Sequence, residues 1–107
     1  MKIVVVTGCS VGIAHTYMAA EALEKVGKKM ELDMWVETQG SVGIENQAPD
    51  DVIEAADLIL IAADMGIEKP ERFDGKIKYE TIPAEAIKNP QGVIGKALEY
   101  YDKHKKK

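Results

Sequence analysis

The chain has 107 residues, 46% of them hydrophobic, enough for one core and too few for two, so length points to one domain over residues 1–107. Eighteen acids against fourteen bases leave a formal charge of −4, which speaks against nucleic acid as the main partner, because neutralising phosphates takes a basic face. One cysteine cannot close an internal disulfide, and the apolar run after Met1 is too short for a signal peptide or membrane span; both point to the cytosol, with Cys9 reduced.

The first strand is expected at Lys2–Thr7, where "IVVV" is apolar at successive positions, as a strand buried on both faces requires. After it comes "TGCSVGIAHT", then a helix from about His15 to Lys28 with Ala19, Ala22, Leu23, Val26 and Met30 on one apolar stripe. Gly27 and the lysines after it suit the end of that helix. A second strand follows at Glu31–Thr38, and a short helix at Pro49–Ala56, with Pro49 in its first turn and Asp50 and Asp51 at its positive end. The third strand, Leu58–Ala63, is again apolar throughout and belongs at the centre of the sheet. A fourth is expected at Lys76–Thr81, and the last helix starts where Asn89 can cap and Pro90 fits the first position, burying Ile94, Ala97, Leu98 and Tyr101. Strands alternating with helices predict an α/β fold: a four-stranded parallel sheet with helices on both faces, a Rossmann-like open sandwich. The basic residues 103–107 read as a frayed, solvated tail.

In such a sheet ligands sit beyond the carboxyl ends of the strands, where the winding changes direction, and Cys9 falls just after the first strand. The loop from Thr7 to Thr16 suits an anion: backbone N–H groups can converge there, the first turn of the helix adds positive potential, and Thr16 offers a hydroxyl. Gly8 and Gly12 allow backbone conformations that a side chain would hinder. The pattern lacks the lysine of a nucleotide P-loop and the third glycine of a dinucleotide loop. A thiol in that cradle is expected to favour its thiolate and to attack phosphorus. The spacing C-x5-H-T echoes the C-x5-R-[ST] of cysteine-dependent phosphatases, but His15 stands where their arginine forks onto phosphate oxygens. Hydrolysis is therefore poorly supported and a carrier of phosphoryl groups better so, with a weak phosphatase or a non-enzymatic phosphate- or flavin-binding module as alternatives.

Three stretches, "C-x-x-G-I-A-H-T-Y-M-A-A-E-A-L", "V-E-T-Q-G-S-V-G-I-E-N" and "A-D-L-I-L-I-A-A-D", resemble the IIB component of the fructose-type sugar phosphotransferase system of bacteria, over roughly Lys2 to Leu98. The resemblance implies that Cys9 is the phosphocysteine, loaded from a phosphohistidine on the IIA partner and discharged onto fructose or a fructose-like sugar held by the IIC membrane permease. It also implies that Ser10, Val11, Gly12, Ile13, Ala14, His15 and Thr16 form the phosphate-binding loop, that the protein works at the inner face of the membrane, and that no cofactor is needed. Where the family usually reads Cys-Pro-Thr-Gly, this chain has Cys9-Ser10-Val11-Gly12, without the fixed φ of proline or the second hydroxyl.

Other residues carry less. Glu37, Gln39, Gly40 and Ser41 follow the second strand and should lie at the same end of the sheet as Cys9, with a loop role weighed equally against a functional one. Asp64 ends the third strand on that edge, but an acid near phosphate repels as readily as it helps, so it receives no catalytic role. Trp35 and Tyr17 read as core or rim packing, His104 as solvent-exposed, and no set of His, Cys and acids has metal-ligand spacing.

Overall fold

A computed structural model describes residues 1–9, 13–40 and 43–105. In chain order the elements are β1 (Lys2–Gly8), α1 (Ile13–Lys29), β2 (Asp33–Gly40), β3 (Gly43–Glu45), α2 (Asp50–Ala55), β4 (Leu58–Ala63), a 3-10 turn (Pro70–Phe73), β5 (Lys78–Thr81), α3 (Pro83–Lys88) and α4 (Pro90–His104). The strands form one sheet in the order β3-β2-β1-β4-β5.

The expected four parallel strands are all present, with β1 and β4 at the centre, and a fifth joins them. β3 is antiparallel to β2, with Thr38 opposite Glu45 and Gly40 opposite Gly43, so the sheet is mixed. This edge strand is short, starts at a glycine with φ +96°, and is followed by Asn46 at φ 55°, so its sequence carries turn signals on both sides. Asn46 is fixed twice: its amide donates to the Val36 carbonyl at 2.9 Å, and its own carbonyl accepts from the Trp35 indole at 2.8 Å.

Because β1 and β4 are covered on both faces, their consecutive apolar side chains divide between two cores. Ile3, Val5, Leu58, Leu60 and Ala62 pack with Ala19 and Leu23 of α1, Ala86 of α3, and Val93, Ile94 and Ala97 of α4. Val4, Val6, Ile59 and Ile61 face the other way, onto Ile53 of α2 and Phe73 of the 3-10 turn. Each buried aliphatic side chain contributes about 1.5–3 kcal/mol, so the central strands anchor the position of everything at their ends.

Several expected boundaries move for local reasons. α1 runs on to Lys29 and ends in a turn where Glu31 takes φ 59° and the Leu32 N–H reaches the Gly27 carbonyl; β2 accordingly begins at Asp33 and extends to Gly40. Gly27 is therefore inside the helix, and a Cβ there would sit 1.9 Å from Met34 Sδ; its role is close packing against β2. Met30 lies past the helix and is exposed. Pro49 takes the N-cap of α2. Lys76, expected in a strand, instead places its ammonium on the Glu54 and Ala56 carbonyls at the C-terminal end of α2, and β5 starts at Lys78. α4 begins as expected, with the Asn89 side chain accepting from the Gly92 N–H at 3.1 Å, but continues through His104. Lys103 and His104 are thus helical instead of frayed: the Lys105 N–H closes onto the Tyr101 carbonyl, and two basic residues favour the negative end of the helix.

Among the described residues no helix is long and apolar enough to cross a membrane.

Candidate active site

The winding reverses at β1, because the chain moves outward to β2 and then returns across β1 to β4. The crevice beyond the carboxyl ends of β1 and β4 is thus the place where this fold accepts ligands. The last ladder pairs on β1 are Gly8 with Gln39 and Gly8 with Ala63. One residue further on, Cys9 and Asp64 leave the sheet together.

Gly8 is needed here for space. It lies inside the strand, and a Cβ would meet the Gln39 carbonyl at 3.3 Å and Met65 Cε at 3.0 Å. The expectation of a special backbone conformation at Gly8 is replaced by one of close strand packing. Cys9 is only 6% exposed, and its Sγ lies 3.6 Å from Asp64 Oδ2, to which the thiol can donate, and 3.8 Å from His15 Nδ1. Thr7, fully buried, donates its hydroxyl to the Thr16 carbonyl at 3.1 Å, fastening the first turns of α1 to the end of β1.

Of the expected phosphate-binding loop, Ser10, Val11 and Gly12 lie outside the described residues, as does Ser41. Ile13 opens α1, and Ala14 and His15 are exposed on its first turn. That turn carries no acidic residue to cancel the positive end of the helix. Thr16 is 2% exposed and its hydroxyl is buried with no hydrogen-bond partner among the described residues, which makes it a donor held in reserve at the helix head. Thr16 lines a small gap together with Tyr17, Gly40, Gly43 and Glu45. Tyr17 is exposed rather than packed, and its hydroxyl donates to the Glu45 carboxylate, joining α1 to β3. That bond, reinforced by partial desolvation and the carboxylate's charge, pushes the phenol above its ordinary value.

Glu37 and Gln39 lie at the same end of the sheet, as the sequence suggested, and both are buried. Glu37 accepts from both terminal nitrogens of Arg72 at 2.9 and 3.0 Å, from the Ala48 N–H at 2.9 Å and from the Gln39 amide at 2.8 Å. Burial alone would raise its pKa, but these donors and the guanidinium charge prevail and hold the carboxyl below the usual glutamate range. Gln39 in turn accepts from the Glu68 N–H at 2.7 Å, while Arg72 donates to the Glu68 and Lys69 carbonyls. The network ties β2 to the segment that begins at Asp64 and ends in the 3-10 turn. Arg72 is the chain's single arginine, and sequence reasoning passed over it because its partner is 35 residues away. Among the described residues no group of three His, Cys, Asp or Glu side chains is placed to hold a metal ion.

A recessed thiol at the winding switch of an open α/β sheet, beside a helix whose first turn carries no acid, is an arrangement that suits the approach of an anion to sulfur. The profile of the family described as "PTS system, Lactose/Cellobiose specific IIB subunit" matches residues 4–96. The "PTS system fructose-like EIIB component 2" of Escherichia coli K12 is 42% identical over 95 residues, covering 89% of this chain and 90% of that protein. The "PTS system 2-O-alpha-mannosyl-D-glycerate-specific EIIABC component" of the same organism is 44% identical over 96 residues, 90% of this chain but 15% of that longer protein. Among solved structures, a domain from the fructose-specific IIABC component of Borrelia burgdorferi superposes with a TM-score of 0.85 at 42% identity, covering 92% of this chain and 93% of that one. The chain belongs to the IIB family of the sugar phosphotransferase system, on its fructose-like branch. It is accordingly a phosphotransferase, a carrier of phosphoryl groups.

Proposed function

We propose that Cys9 is the residue that carries the phosphoryl group, taking it from a phosphohistidine of a IIA protein and passing it to fructose or a fructose-like sugar held by a IIC permease. The observation that carries this reading is the placement of Cys9 Sγ at the carboxyl end of the central strand, next to the first turn of α1. In this reading the loop from Ser10 to Thr16 binds the phosphoryl oxygens, with the buried Thr16 hydroxyl and the N–H groups at the start of α1 as donors. The work is done in the cytoplasm at the inner face of the membrane, where the permease presents its sugar. The loop must stabilise the phosphorylated sulfur well enough to accept the group and not so well that the sugar cannot take it.

Hydrolysis is disfavoured by a specific feature: the only arginine is committed to Glu37 through two hydrogen bonds and is absent from the contacts of Cys9. Incubation with phosphoenolpyruvate, the general phosphocarrier proteins and a matching IIA should add one phosphoryl group, read by intact-protein mass spectrometry, and Cys9→Ser should add none. Equal labelling of Cys9→Ser would refute the assignment, and sustained Cys9-dependent release from a chromogenic phosphate ester would favour the phosphatase.

A further inference from the structure

Asp64 is a carboxylate placed where a phosphoryl dianion would arrive, and like charges at such a distance oppose each other. Its backbone is held in place by the sheet. The Asp64 N–H donates to the Gly8 carbonyl at 3.3 Å, continuing the β1–β4 ladder, and the segment after it is tied down by Gln39 and Arg72. Its Oδ2 lies 3.6 Å from Cys9 Sγ, within hydrogen-bond reach of sulfur. Among the described residues, the other charged or titratable groups at this end of the sheet include His15, 3.8 Å from the sulfur, Glu45, engaged by Tyr17, Glu37, engaged by Arg72, and Glu68 and Lys69, whose backbone groups are held by Gln39 and Arg72.

We propose that Asp64 accepts the Cys9 thiol proton as the phosphoryl group arrives and returns it to sulfur as the group leaves. This rests on Cys9 being the carrier. During loading, the P–S bond forms as the donor's P–N bond breaks, the bonding pair leaves with the donor nitrogen, and the S–H proton moves to Asp64 Oδ2. During discharge the P–S bond breaks as the sugar oxygen bonds to phosphorus, and the proton on Asp64 goes back to sulfur; the sugar hydroxyl's own proton leaves through a base on the permease side. The electrostatic conflict then disappears, because Asp64 is neutral while the dianion sits on sulfur and charged only when sulfur bears its proton. Positioned proton transfer contributes about 10²–10⁴-fold in general, and the loose transition state of phosphoryl transfer puts this case at the low end.

The test follows the rate at which the full chain gains a phosphoryl group from phosphorylated IIA between pH 6 and 9, in the parent, Asp64→Asn, Asp64→Glu and His15→Gln. Asp64 is exposed, so the amide should fold normally, which a thermal melt checks. Asp64→Asn should load about 100-fold more slowly at pH 6, with the deficit shrinking as pH rises and the thiol loses its proton to solvent. Asp64→Glu, which keeps the carboxylate, should recover about tenfold of that loss. A deficit equal at every pH, or no deficit, overturns the proposal, and so does a pH-dependent loss found in His15→Gln instead. A parent that takes no phosphoryl group removes the carrier reading itself, whereas a parent that loads on Cys9 beside an equally fast Asp64→Asn removes only the role of Asp64.

Discussion

Replacing Arg72 by methionine would expose what the buried ion pair contributes. The substitution keeps an unbranched side chain of similar reach, so contact with Phe73, over whose ring the guanidinium lies at 4.6 Å, is largely retained. The Glu37 side chain is 0% exposed, and it would keep only the Ala48 and Gln39 donors of its present four. Leaving a buried charge without its partner costs about 3–5 kcal/mol, a large share of the ~5–15 kcal/mol that holds a domain together. At roughly 4 °C per kcal/mol for a chain of this size, the melting temperature at pH 7 should fall by about 12–20 °C. The effect has a pH signature. Glu37 titrates below its ordinary value of 4.5 in the parent, so its contribution is fully present above that value and is lost as pH falls through the lower native one. Without Arg72, burial favours the neutral acid, so the gap between parent and variant should be widest at pH 7 and narrow toward pH 4 and below. Removing both charges, as Glu37→Gln with Arg72→Met, should recover most of the loss. Melting curves from pH 3 to 8 decide the matter: a variant within about 2 °C of the parent at pH 7, or a gap unchanged on acidification, would refute the reasoning.

Two further outcomes are expected. Tyr17 should ionise above the ordinary 10.0 and move back toward it in Glu45→Gln, seen in phenolate absorbance against a Tyr17→Phe reference; an unchanged titration would mean that the α1–β3 contact does not persist in solution. Asn89→Ala should cost about 1 kcal/mol by removing the cap on the Gly92 N–H, and a urea midpoint identical to the parent's would contradict that.

Features set by local chemistry were legible in the sequence. The unbroken apolar runs of β1 and β4 marked them as central, and Asn89-Pro90 marked the start of α4. β3, the 3-10 turn and α3 were not legible, since each owes its form to neighbours more than to its own period. The same division runs through the site. Cys9, His15 and Thr16 stood out because they share one stretch of chain. Asp64 was placed on the right edge but given no role, and Arg72 was passed over, because what makes them informative is a register and a hydrogen-bond pattern joining positions 55 and 35 residues apart. Glu37 and Gln39 were placed at the correct end but could not be seen as a clamp without Arg72.

The strand that delivers the sulfur to one side of the molecule starts on the opposite side. The seven residues of β1 lie between Met1 and Cys9, so eight steps of extended chain span about 26 Å at roughly 3.3 Å each. A purification handle, a fluorophore or a surface tether attached ahead of Met1 would therefore sit well clear of the reactive end, leaving the thiol open to approach while the molecule is held from behind.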